Sequence, residues 1–191
     1  MPVSLVSRIL DYWFLPSGHP GYGRDRTIWF NSTPAFDADT ARRFGADIER
    51  ALRGRLDHLA RSPRGALALC LLLDQMTRNV FRGTHRAFAG DRRARRIARA
   101  AVARGFDWHL PAFERRFMYM PFHHSESHGD QNRCVGLLWR ARGSGKLKYA
   151  VGHRDIVVRF GRFPHRNAAL GRVDTPAEET YLRGIHERFG Q

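Results

Sequence analysis

Apolar residues recur three and four positions apart along almost the whole chain, and alternation at period two is nowhere sustained, so the pattern predicts helices and no sheet. Leu5, Ile9, Leu10, Trp13 and Phe14 form a first stripe, which Pro16 and Gly18 end. A Gly- and Pro-rich loop follows to about Tyr22, then Trp29 and Phe30 as aromatic anchors. Phe36, Thr40, Phe44, Ile48, Ala51 and Leu52 predict the next helix, ending near Gly54. Ser62-Pro63 is a strong start signal: a hydroxyl cap, then proline where its missing N–H costs nothing. The helix it opens runs through Leu67, Leu71 and Asp74 to about Val80, with Gly83 after it. Asp91 reads as the cap of another helix, whose Ile97, Ala101 and Val102 face inward while Arg92, Arg93, Arg96 and Arg99 face water and Gly105 ends it.

Pro111 to Tyr119, Asp130 to Arg140, Tyr149 to Phe160 and Pro176 to Phe189 complete the set, and Thr175-Pro176 repeats the cap-plus-proline device. Gly143-Ser144-Gly145 reads as a joint between helices and not as a domain linker. Short connections make neighbouring helices antiparallel hairpins. The expectation is an all-α chain of stacked antiparallel helical hairpins forming a single domain over residues 1–191.

Composition narrows the functional classes. A hydrophobic fraction of 42% supports a core and excludes wholesale disorder. The longest apolar run, Ala66 to Leu73, is far short of the ~20 residues of a membrane span. The N-terminus lacks a basic segment followed by an apolar stretch, so no signal peptide is read and the expected location is cytoplasmic. Cys70 and Cys134 are then expected as free thiols. The formal charge of +15 invites a nucleic-acid reading. Yet Lys146 and Lys148 are the only lysines, and such an arginine skew, with abundant Ala and Gly, is what GC-rich coding produces. Nucleic acid is therefore a partner class that the sequence admits but does not favour.

Three polar clusters carry candidate chemistry. In Asp74 to Arg82, the side chains Gln75, Arg78 and Arg82 continue the face of Leu67 and Leu71, so the inward face turns from apolar to charged. The plain alternative is an Asp74–Arg78 pair that ties elements together. In Phe122 to Gln131, three histidines and two carboxylates crowd a segment that Pro121 and Gly129 place on a turn, with Ser125 as cap of the following helix. The ligand order matches no helical zinc signature, so capping and pocket lining are preferred to metal and no metal site is assigned. The third runs from His153-Arg154-Asp155 to Arg159 through Asn167. There Phe160 and Phe163 anchor the backbone, Arg162, His165 and Arg166 stay available, and Pro164 opens a short helix; a rigid loop held by Arg–backbone bonds is the alternative.

At these clusters the chain resembles the bacterial proteins of unknown function grouped as DUF924. The resemblance covers most of the chain, including Ile9-Leu10-Asp11-Tyr12-Trp13-Phe14, Leu73-Asp74-Gln75-Met76-Thr77-Arg78-Asn79-Val80-Phe81-Arg82-Gly83-Thr84, His124-Ser125-Glu126 and Arg159-Phe160-Gly161-Arg162-Phe163-Pro164-His165-Arg166-Asn167. It implies a tetratricopeptide-like stack of helical hairpins, and it supplies no activity, cofactor or catalytic residue. His123 departs from the pattern, standing where an acidic residue is common.

The mixture of Asp, Gln, Asn, His and Arg favours convergence on one pocket that binds a small anion or metabolite, phosphate or carboxylate being the simplest. The expected ligand-binding set is Asp74, Gln75, Arg78, Asn79, Arg82, Arg162, His165 and Arg166, with Asp74 and Glu126 as counter-charges. If the chain is an enzyme, His124, Glu126 and His165 are the catalytic candidates, and no cofactor is implied. Two other classes compete. A tetratricopeptide-like scaffold would bind peptide along an open concave face. A nucleic-acid binder would put Arg92, Arg93, Arg95, Arg96 and Arg99 on one surface with Arg159 and Arg166.

Overall fold

Ser4 starts the first helix by accepting the Ser7 N–H at 3.1 Å, and the stripe that follows buries Ile9, Leu10, Trp13 and Phe14 on one side of α1 (Leu5–Phe14). The chain is described here from a computed structural model, over residues 3–141 and 146–184; the Gly143-Ser144-Gly145 joint and the end of the last expected helix lie outside the described residues. Leu15 leaves α1 at φ 72°, rare for a branched side chain, with Pro16 next excluding the α region for it. The α1 end is tied down by Arg26, whose guanidinium donates to the carbonyls of Tyr12 and Trp13 at 2.7 Å each, and by Trp29 Nε1, which donates to Trp13 at 2.9 Å.

Hydroxyl-plus-proline caps open three helices. Besides Ser62-Pro63 and Thr175-Pro176, Thr33 accepts from Phe36 N at 3.2 Å with Pro34 in the first turn of α2 (Pro34–Leu52). The helix opened by Pro63 is the axis of the molecule. Every residue from Gly65 to Asn79 is buried, and α3 (Pro63–Cys70) packs against α1, α5 (Asp91–Ala103) and α6 (Ala112–His123).

One continuous helix from Pro63 to Val80 is the sequence expectation, and the structure departs from it. The backbone widens into a π-helical stretch, Leu71–Met76, before one last α turn, α4 (Thr77–Val80). Side chains one turn further on serve two of its carbonyls: Thr77 Oγ1 donates to Leu73 at 2.8 Å, and Arg78 Nη1 donates to Asp74. Gly90, next to α5, lies against the same stretch. A Cβ there would stand 2.1 Å from the Leu73 carbonyl oxygen, so only glycine permits this approach.

Three further expectations are corrected. Asp91 does not cap α5; it is the first helical residue, behind Gly90, and its carboxylate turns to Arg78 and Arg166. Pro121 does not end α6, which runs through it to His123. Its lost N–H bond costs one helical hydrogen bond near a terminus. Ser125 is not the N-cap of α7 (His128–Arg140), a place that Ser127 holds without a side-chain bond; Ser125 donates to Asp130 at 2.9 Å and accepts from Ser127 N at 3.2 Å. Gln131, from inside α7, donates to the carbonyls of His123 and Ser125 at 2.8 and 2.6 Å and so fixes the α6–α7 corner.

α7 packs against both α6 and α8 (Leu147–Phe160), and α9 (Asn167–Leu170) and α10 (Pro176–Gly184) follow. Among the described residues there is no strand, and no helix is long and apolar enough to cross a membrane. Cys70 and Cys134 are both free and both buried. The main core gathers α1 to α8, and a smaller cluster of Ile156, Val157 and Phe163, with Phe160 and Tyr181, joins the C-terminal turns to α8.

Overpacking at the π-helical stretch gives a test. Gly90→Ala should lower unfolding stability by about 1–3 kcal/mol, the usual cost of forcing atoms into a filled space. Gly136→Ala, where a Cβ meets nothing within 4 Å, should leave it unchanged or slightly higher. Urea denaturation of the two variants checks this; equal midpoints would contradict it.

Candidate functional site

Between the π-helical stretch, α6, α8 and the turn after α8 lies a cavity of about 650 Å³, within the range of small-ligand pockets. Its organising group stands just behind the wall. Asp74, 1% exposed, accepts from His124 Nδ1, which is 2.9 Å from each carboxylate oxygen, and from Gln75 Nε2 at 2.6 Å; Arg78 Nη1 lies 3.1 Å from the same carboxylate. Burial alone would raise the Asp74 pKa, but Arg78 and His124 overcome it and hold the carboxyl far below its usual range. An ionised Asp74 accepts a hydrogen bond from the Nδ1–H of His124, which leaves Nε2 as the ring's acceptor. Burial pushes the His124 pKa down, Asp74 pulls it back, and the net shift is downward, so the ring is neutral at pH 7.

Arg78 also meets Asp91, at 3.0 and 3.1 Å. Arg166, 4% exposed, has Nη1 3.6 Å from Asp91, and its guanidinium lies 4.9 Å from the Phe88 ring centroid and 4.5 Å from that of Phe163. Burial, then the charge of Arg78, lowers the Arg166 pKa to about 10, still fully protonated at neutral pH. The Nε atoms of Arg78 and Arg166 are buried and have no hydrogen-bond partner among the described residues.

A second polar knot sits beside the first. Asp37, from α2, accepts from Asn79 at 2.7 Å, from Ser32 at 2.6 Å and from Arg82 Nε at 3.0 Å. On the far wall Asp25 accepts from Arg116 at 2.5 Å and Lys146 at 3.1 Å. The lining cations Arg78, Arg82, Arg116, Arg166 and Lys146 thus face Asp74, Asp91, Asp37 and Asp25, one carboxylate fewer.

Between these walls runs a row of rings. Centroid separations are 5.4 Å from His165 to Phe163, 5.5 Å on to His153, 3.8 Å to His123 and 5.5 Å to His124. Burial, followed by the neighbouring histidines and arginines, depresses every histidine of the row, His153 and His165 to about 3. Cys134 joins the wall with Sγ 3.9 Å from His123 Nδ1, but burial pushes its thiol up to about 12, which removes it as a nucleophile. Among the described residues no group of three His, Cys, Asp or Glu side chains is arranged to hold a metal ion.

Of the residues expected from the sequence, the structure brings together Asp74, Gln75, Arg78, Asn79, Arg82, His124, His165 and Arg166. Two expected members lie elsewhere. Arg162 forks onto Glu178 at 2.6 and 2.7 Å and donates to the Val173 carbonyl. The extended backbone at Phe163 sends neighbouring side chains to opposite sides, so a buried Phe163 puts Arg162 outside. Glu126 accepts from Phe163 N at 2.9 Å and pairs with both Arg172 terminal nitrogens at 2.9 Å, where it holds the turn that carries His165 and Arg166.

Sequence reasoning did not assign Asp91, Arg116, His123, His153 or Lys146. His153 had a signal in its His-Arg-Asp motif, and His123 in its departure from the family pattern. Arg116 could have been found from the spacing of Tyr119, Met120 and His123 along one face of α6.

The family model of bacterial proteins of unknown function, DUF924, matches residues 9–185, and the chain belongs to that family. The solved structure of ATU0120, a protein of unknown function from Agrobacterium tumefaciens, is similar at 40% identity over 95% of this chain and 98% of that one, with a TM-score of 0.84. Comparison with curated proteins returns no match.

The histidine row makes stability depend on pH. A histidine held neutral by burial binds its proton more weakly than in the unfolded chain, so its contribution is complete above about pH 6.5. It is lost progressively as pH falls toward the folded value of about 3 for His153 and His165. The melting temperature should therefore fall steadily from pH 6.5 to 4, and His165→Gln should flatten that slope. A parent curve level across this interval would contradict the assignment.

Proposed function

We propose that the cavity binds a small organic anion, carboxylate or phosphate, against Arg78 and Arg166, with the neutral His124 ring at its side. One observation carries this reading: two buried guanidinium groups, Arg78 and Arg166, line one cavity and share the carboxylate of Asp91 between them. A planar oxyanion fits a guanidinium fork bidentately. The excess of cations over carboxylates around the walls supports the same sign of ligand. His124, oriented by Asp74, is the group placed to accept a proton from the ligand if the chain is an enzyme.

The competing classes draw less support. The arginines of α5 direct much of their charge onto carboxylates of the chain itself, Arg93 and Arg96 onto Asp57 and Arg95 and Arg99 onto Asp130, which weighs against a nucleic-acid stripe. A tetratricopeptide-like peptide scaffold, implied by the family resemblance, would recognise its partner along an open face, whereas the distinctive side chains here are buried around a cavity. Two buried free thiols fit a reducing cytoplasm.

Inorganic phosphate should raise the melting temperature of the parent in a saturable way, by mass action. Arg166→Gln should abolish that gain, while Arg96→Gln, on the exposed face of α5, should retain it. Differential scanning fluorimetry over a phosphate titration reads this out, and an Arg166→Gln response equal to the parent's would sink the reading.

A further inference from the structure

The cavity is far larger than an inorganic anion needs, and its second wall differs chemically from the first. There the lining is aromatic and aliphatic: Trp29, Phe30, Met120, Leu138 and Tyr149. Phe30 and Tyr149 are 43% and 51% exposed, an unusual state for two large rings on the wall of a polar cavity. Lys146 Nζ lies 5.1 Å from the Phe30 ring centroid and 5.7 Å from that of Tyr149. The Arg116 guanidinium lies 4.8 Å from the Trp29 ring. Asp25 joins Lys146 to Arg116, so the rings are held in place by cations that are themselves anchored.

The two walls are joined by uncharged material. His123 and His153, both neutral, lie with ring centroids 3.8 Å apart at a tilt of 40°, and His153 Nδ1 is hydrogen-bonded to the Tyr149 carbonyl at 3.0 Å. A ligand reaching from the guanidinium groups past His123 and His153 to Tyr149 meets donors at one end, neutral imidazole in the middle and aromatic faces at the other. Inorganic phosphate satisfies only the first end. A flat apolar group carrying an anionic substituent satisfies both, and it would cover the rings now open to water.

We infer that the ligand is an aryl or similarly flat apolar anion, with its charged group on Arg78 and Arg166 and its ring packed between Phe30, Tyr149, Met120 and Leu138. This rests on the anion reading above and specifies the ligand class for the same cavity. It makes Phe30 and Tyr149 specificity residues: they distinguish aryl anions from bare ones and leave the charged contact untouched.

Isothermal titration of the full chain with phenyl phosphate and with inorganic phosphate tests the inference. Phenyl phosphate should bind about tenfold tighter, the scale expected from covering one ring's worth of partly exposed apolar surface. The Phe30→Ala/Tyr149→Ala double variant should lose that advantage and keep the parent's affinity for inorganic phosphate; both positions are exposed enough for the fold to tolerate the change. Arg166→Gln should weaken both compounds. Equal affinity of the parent for the two compounds, or a double variant that retains the advantage, overturns the aryl assignment while the anion reading stands. Binding of phenyl phosphate that Arg166→Gln leaves unchanged overturns the orientation proposed here. Absence of binding by either compound removes the anion reading and this inference together.

Discussion

A carboxylate with almost no access to water must find its stabilisation inside the protein, and Asp74 imposes that demand on everything around it. Gln75, Arg78 and His124 meet it, and each answer creates a further condition. Arg78 is buried in turn and needs a second carboxylate, which Asp91 supplies. Asp91 reaches Arg78 because Gly90 lets the start of α5 lie against the Leu73 carbonyl. His124 comes from the far end of α6, whose corner with α7 is pinned by Gln131. Four segments distant in sequence are thereby coupled through one buried charge. Removing the carboxylate would leave Arg78 half compensated and His124 without an orienting partner.

Around the cavity the lining cations outnumber their carboxylate partners by one. Arg78, Arg116 and Arg166 sit deep, each near a carboxylate, and the histidines between them stay neutral because burial and mutual repulsion oppose protonation. Neutral rings separate the guanidinium end from the aromatic end with material that neither repels an apolar group nor adds charge. Glu126, which looked like part of the chemistry, contributes by position: its pairing with Arg172 and Phe163 N fixes the turn from which Arg166 enters.

Much of this was legible in the sequence, for identifiable reasons. Helices were readable wherever a period-3.6 stripe coincided with a local stop or start, as at Ser62-Pro63 and at Gly105, which follows α5 at φ 71°. Pro121 misled because a proline signal is local, whereas the helix through it is stabilised by burial of Phe117, Met118 and Phe122. The charged inward face of the Asp74 segment was legible as a polar cluster, because apolar Leu67 and Leu71 give way to Gln75, Arg78 and Arg82 on the same side. Its partners were harder to see. Asp91 looked like a cap because capping is the commonest use of aspartate before a helix, and its true partner, Arg78, lies across a loop. Arg162 and Arg166 looked equivalent in sequence, and only the direction of the extended backbone at Phe163 separates them.

The π-helical stretch from Leu71 to Met76 carries a consequence of its own. A residue added to or removed from a helix rotates everything beyond it by about 100° about the axis. The widened turn is the place where this helix absorbs such an offset, keeping Leu67 and Leu69 in the core while presenting Arg78 and Asn79 to the cavity. Residue count in this stretch is therefore as binding a specification as residue identity. A chain with every functional side chain intact but one residue fewer between Leu71 and Met76 would keep a respectable helix and aim its arginine at the wrong neighbour.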